Sequence, residues 1–213
     1  MTRIETLLSI SSPPLATKPL LFPELLRPYA QGPELFLMLQ EKNGFYAFES
    51  ALHVFPVTGD PASGLAVWNA AACWRSSYQD LTDDMLFFAE DILQDQFCLS
   101  LQQSGVFRFH AETGETTAMA ASIEDWAGVV LDNYRVETGW PLASEWQKTY
   151  GILPQGKRLL PKTPFFLGGS YDVENLWAGE AEEGMRFKGD VAVQTRNLQD
   201  GTKVNLVVGP TPD

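Results

Sequence analysis

Three short apolar segments in close succession constrain this chain more than anything else in it. Leu86 to Ala89 is a compact apolar run. In DQFCLSL, Phe97, Leu99 and Leu101 alternate with Gln96, Cys98 and Ser100, the period-two sign of a half-buried strand. QQSG turns the chain, and in VFRFH, Phe107 and Phe109 alternate with Arg108 and His110. AETGE makes a second turn, and TTAMA adds a further strand. Together these segments read as an antiparallel meander.

A helix must cover that sheet, and SIEDWAGVVLDNY supplies it. Ser122 is a good N-cap, with Asp125 at the capping-box position. Ile123, Trp126, Ala127, Val130, Leu131 and Tyr134 share one apolar face. GPELFLMLQEKNG predicts a buried helix that starts at Pro33 and stops at Asn43-Gly44. LASEWQKTYG predicts a short helix stopped by Gly151. GFYAFESALHVFP reads as irregular or strand-like, and AVWNAAACW is too short to decide between strand and helix. From about Leu159 the chain reads as strand, with GMRFKGDVAVQTRNL and KVNLVV forming a hairpin about Asp200-Gly201.

The fold class that follows is α+β: a mixed, mainly antiparallel sheet with helices packed on it. Residues 1–32, rich in Ser and Pro from 9 onward, are read as an N-terminal arm. Residues 33–213 are read as a single domain, with 136–213 as its C-terminal extension. At 213 residues with 45% hydrophobic content, the chain is able to bury a core. No apolar run approaches the ~20 residues of a bilayer span. MTRIETLLSISSPP lacks the pattern of an export signal, because Glu5 interrupts a short apolar run that Ser and Pro end. Cys73 and Cys98 lie far apart among apolar neighbours, as buried free thiols of a reducing compartment do, so a cytoplasmic location is expected.

The motifs that suggest chemistry fail on context. GILPQGKR has GxxxxGK spacing, but Arg158 stands where a phosphate-binding loop needs Ser or Thr. GGSYD lacks the last Gly of a nucleophile elbow, and no His follows Ser170. HAE at His110–Glu112 matches half of a zinc-deaminase signature whose PCxxC half is absent. The carboxylates Glu90, Asp91 and Asp95 have neither the regular spacing nor the Gly of a Ca²⁺ loop. No catalytic residue, metal ligand or cofactor is assigned.

Charge is concentrated. The formal net charge is −12; residues 76–134 hold eleven acidic side chains and one basic, Arg108. Such a distribution argues against direct binding of nucleic acid. It favours an acidic face for a basic protein partner, drawn from Asp80, Asp83, Asp84, Glu90, Asp91 and Asp95.

The order of elements from Pro33 to Tyr134 resembles the SUKH superfamily: a buried helix ending in NG, then LFFAEDILQDQFCLSL, VFRFHAETGE and SIEDWAGVVLDNY. FFLGGSYDVENL and MRFKGDVAVQTRNLQDGTKV resemble the C-terminal extension of longer bacterial members. One departure is the lack of Gly in the turn between the first of these strands. The resemblance implies an α+β fold in which Phe97, Gly114 and Trp126 are structural. It also implies a non-catalytic immunity protein that binds and blocks a bacterial toxin, such as a nuclease. A regulatory or scaffold protein of the same fold, and a small-molecule enzyme with an unrecognised site, are the alternatives.

Overall fold

The meander is the centre of the molecule. A computed structural model describes residues 1–57, 64–198 and 202. In chain order its main elements are α1 (Arg3–Ile10), α2 (Gly32–Glu41), β1 (Phe45–Ala47), β2 (Leu52–Val54), α3 (Leu65–Trp68), β3 (Met85–Asp91), β4 (Gln96–Ser100), β5 (Val106–Phe109), β6 (Thr116–Ala120), α4 (Ile123–Glu137), α5 (Trp140–Tyr150), β7 (Lys157–Pro161), β8 (Leu176–Glu180) and α6 (Ala181–Thr195). Strands β1 to β6 form one sheet in sequence order, and β7 and β8 form a second. Every ladder is antiparallel, so the fold is α+β with no parallel pair among the described residues.

Strand β4 is not half-buried as its alternation predicts: Gln96, Phe97, Cys98 and Leu99 are all buried. Both faces of the sheet are covered at β3 and β4, whereas the edge strand β6 is largely exposed. On one side Phe88 and Phe97 meet Trp126 of α4 edge-on, with centroids 5.0 and 5.6 Å away. On the other side Phe87 and Phe109 pack on Trp74 and Tyr78. There the Gln96 amide oxygen accepts from the Trp68 indole at 2.9 Å. This second layer, from α3 through a 3-10 segment at Arg75–Thr82, explains how a polar Gln is tolerated in the core.

Helix α4 starts at the predicted N-cap, Ser122, but the Asp125 carboxylate bonds the Ser122 hydroxyl and not its backbone N–H as a capping box would. The Asp125 amide donates to the Ser122 hydroxyl oxygen at 3.0 Å, and that hydroxyl donates to the Asp125 carboxylate at 2.7 Å. Residues 1–32 are not a detached arm. Helix α1 carries a Thr2–Glu5 capping box and packs on α4: Leu7 is fully buried, and Arg3 grips Asp132 with two bonds of 3.0 Å. Beyond it, Ser12 and Leu15 donate their amides to Tyr46 and Gly44. That pairing closes the otherwise open edge of β1.

The C-terminal hairpin expectation is corrected over its first arm, because Ala181–Thr195 is a helix. Small residues permit its close approach: a Cβ on Gly189 would stand 2.6 Å from the Tyr78 ring, and one on Gly184 would stand 2.3 Å from the Gln94 amide oxygen. Asp200-Gly201 and the second arm lie outside the described residues. A second apolar cluster, with Trp146, Leu159 and Leu176, joins α5 and the β7–β8 pair to Ile92 beside the main sheet. Cys73 and Cys98 are buried free thiols.

Candidate functional site

The end of β3 carries Glu90 into the core, where its β2 neighbour in register is His53. Glu90 is 1% exposed. Its carboxylate accepts from the Arg158 Nε–H at 2.8 Å, lies 3.1 Å from His53 Nδ1 and 3.4 Å from the Gln96 amide nitrogen. Arg158 arrives from β7 and is itself 1% exposed. It also donates Nη1 to the Ser50 and Lys157 carbonyls at 3.3 and 3.2 Å. Burial alone pushes the Glu90 carboxyl up, but the Arg158 charge and the His53 bond outweigh it and hold the pKa below the usual range. Burial holds the His53 pKa down despite its Glu90 partner.

One residue on, Asp91 turns the other way and closes the β3–β4 connection. Its Oδ1 accepts from the Leu93 and Asp95 amides at 2.8 and 2.9 Å. These bonds hold a turn in which Gln94, with φ 76°, takes the left-handed conformation that glycine favours. Asp95 accepts from the Ala111 amide at 2.9 Å through one oxygen and lies 3.0 Å from His110 Nδ1 through the other. Arg108, from β5, stands 3.8 Å from Asp91, 3.9 Å from Asp95 and 3.4 Å from Glu137. Lys188, from α6, is buried and donates to the Leu93 carbonyl. Burial, and after it the Asp95 charge, pushes the Asp91 carboxyl up to about 7. Burial also pushes Asp95 up, but the His110 bond and the Arg108 charge outweigh it and hold that group low. The Asp95 bond raises the His110 pKa.

These positions correct the expectation of an exposed acidic face at Glu90 and Asp91. Both are buried, and their cationic neighbours come from β5, β7 and α6, far away in sequence. Of the other candidate residues, Asp80 is exposed and paired with Arg196 at 2.6 Å. Asp83 and Asp84 are exposed, and Asp84 accepts from the Gln102 side chain at 2.7 Å. These three precede β3, whereas Asp91 ends it. A seven-residue strand separates its two ends by about 20 Å, so the six carboxylates do not form one cluster.

Sequence reading missed what borders the Asp91–Asp95 network. A cleft of about 510 Å³ opens over Asp91, Asp95, Arg108 and His110. An apolar groove of about 250 Å³ adjoins it, and the two share Glu112, Phe166 and Lys188. Glu112 fixes the shared wall, since its two carboxylate oxygens accept from the Phe165 and Phe166 amides at 3.1 and 3.0 Å. Phe165 stacks on Tyr171 with centroids 4.0 Å apart. Around the two depressions Phe166, Tyr171, Trp177 and Phe187 remain 38%, 67%, 46% and 41% exposed. The signal available in the sequence was the aromatic density of FFLGGSYDVENLW.

His110 completes its bonding with Nε2 3.3 Å from the Thr117 hydroxyl. Both oxygens of Asp95 and of Glu112 are engaged by the chain itself. No group of three or more His, Cys, Asp or Glu side chains suited to a metal ion is found among the described residues. No described helix is long and apolar enough to cross a membrane.

No protein-family model matches the sequence, and no curated protein does. Among solved structures, the chain is similar to Atu4351 from Agrobacterium tumefaciens. The TM-score is 0.53 at 12% identity, over 86% of each chain. That likeness concerns the fold.

Proposed function

We propose that this chain is a non-catalytic protein-binding module, an immunity-type protein that captures and blocks a bacterial toxin with a basic surface. The observation that carries the reading is the ring of exposed aromatics, Phe166, Tyr171, Trp177 and Phe187, around joined clefts. Exposed aromatic side chains grouped about a depression are what interface centres use. Beneath them the ionisable groups hold the chain's own turns and strands together, which supports a rigid platform in preference to a reaction centre. Asp83 and Asp84, exposed near the start of β3, add the charge that steers a basic partner. The bacterial-toxin assignment rests on the SUKH resemblance.

The test has two steps. The tagged chain is used to capture its partner from the native cell, and the captured protein is then expressed with and without this chain. Growth arrest by the partner alone, relieved by co-expression, supports the reading. A partner that is harmless alone points to the regulatory or scaffold role instead.

A further inference from the structure

We propose that the two joined clefts dock a single partner segment that presents a large apolar side chain next to a basic one. The proposal rests on the protein-binding reading and specifies which surface of the partner is recognised. The apolar groove has Leu160 and Val191 in its walls and Trp177 and Phe187 at its rim. Its charged lining balances: Glu112 and Glu183 stand against Lys162 and Lys188. That chamber therefore selects for apolar shape.

The adjoining cleft is different. Its cations are engaged: Lys188 is 5% exposed on the Leu93 carbonyl, Arg108 is held among Asp91, Asp95 and Glu137, and the part-exposed His110 is held between Asp95 and the Thr117 hydroxyl. Its mouth carries carboxylate and aromatic faces, with Glu115 and Tyr171 exposed and Asp95 partly so. A guanidinium or ammonium group is attracted to both kinds of surface, whereas an acidic side chain meets like charge. Because Phe166 lines both chambers, neighbouring side chains of one segment reach them together.

Three blocked dipeptides serve as probes on the full chain: acetyl-Phe-Arg-amide, acetyl-Phe-citrulline-amide and acetyl-Phe-Glu-amide, followed by amide and indole NMR. The arginine probe is expected to move the Trp177 indole and Glu115 amide signals and to bind about five-fold more tightly than the citrulline probe. The glutamate probe should bind most weakly. F187A should weaken all three, and E115Q should narrow the spread among them, weakening the arginine probe and strengthening the glutamate probe while leaving the citrulline probe nearly unchanged. Charge-independent affinities, shifts confined to another face, or no binding would overturn the proposal. So would binding that requires removal of residues 199–213, which would make the chain's own C-terminal segment the occupant. Dimerisation abolished by F187A would make a second copy the occupant and would overturn it equally. If the probes fail while the captured partner is still neutralised, the immunity reading stands without this docking mode. If the probes bind as expected and co-expression gives no rescue, the groove stands and the toxin assignment falls.

Discussion

Arg158 of β7 donates to Glu90 of β3 with both side chains removed from water, and so ties the small sheet to the large one. Neither residue is able to keep its charge there alone. R158M is therefore expected to destabilise the fold by about 3–5 kcal/mol, because it strands a buried carboxylate. R158M/E90Q should recover a large part of that loss. Urea denaturation of the two variants and the wild type measures it, and equal losses in the two would show that a stranded Glu90 charge is not what R158M costs.

Asp91 sets a pH dependence of the opposite sign to acid denaturation. Its folded pKa, about 7, is raised by burial and by Asp95, whereas the unfolded value is about 3.9. A raised folded pKa gives a contribution that is fully present below the unfolded value and is lost as pH rises through the folded one. D91N keeps an oxygen for the Leu93 and Asp95 amides and removes the titration. The stability of D91N relative to wild type should therefore rise between pH 4 and 7, by about 1.4 kcal/mol for each unit of the shift. A difference that stays flat across that window would show that Asp91 titrates normally.

Leu7 tests whether the first helix belongs to the core. It is fully buried, so L7A is expected to cost about 2–5 kcal/mol. A cost below about 0.5 kcal/mol, the level of surface substitutions, would show that the first helix does not contribute to the core.

The strands from Leu86 to Ala120, the Ser122 cap and the stop at Gly151 were readable because each is a local pattern of spacing and capping. What failed depended on distant partners. Glu90 and Asp91 look like solvated charges until Arg158, Arg108 and Lys188 are brought to them, and nothing in LFFAEDILQDQF names those cations. Helix α6 was misread for a related reason. Met185, Phe187, Val191 and Val193 fall on alternate positions and imitate a strand. The helix is chosen by packing at Gly184 and Gly189, where Gln94 and Tyr78 come too close for a side chain. The aromatic rim was partly legible, since FFLGGSYDVENLW carries Phe166, Tyr171 and Trp177, but nothing local brings Phe187 of α6 or the cleft beneath to that stretch.

Charge reversal separates surface from core. D83K/D84N should leave melting temperature nearly unchanged, since both residues are exposed and Asn keeps an acceptor for Gln102 and tolerates the left-handed backbone at 84, while slowing association with a basic partner and reducing its salt dependence. E90K and D91K should instead compromise folding, which a thermal melt detects. Equal melting temperatures for all these variants would contradict the burial of Glu90 and Asp91.

The aromatic rim is the proposed binding surface. Its most direct test is the affinity of W177A/F187A for the captured partner, with circular dichroism confirming that the variant is folded. Two interface anchors at about 2 kcal/mol each predict a loss of about 700-fold, at roughly 1.4 kcal/mol per factor of ten. An unchanged dissociation constant in the folded variant would place the binding surface elsewhere on the molecule.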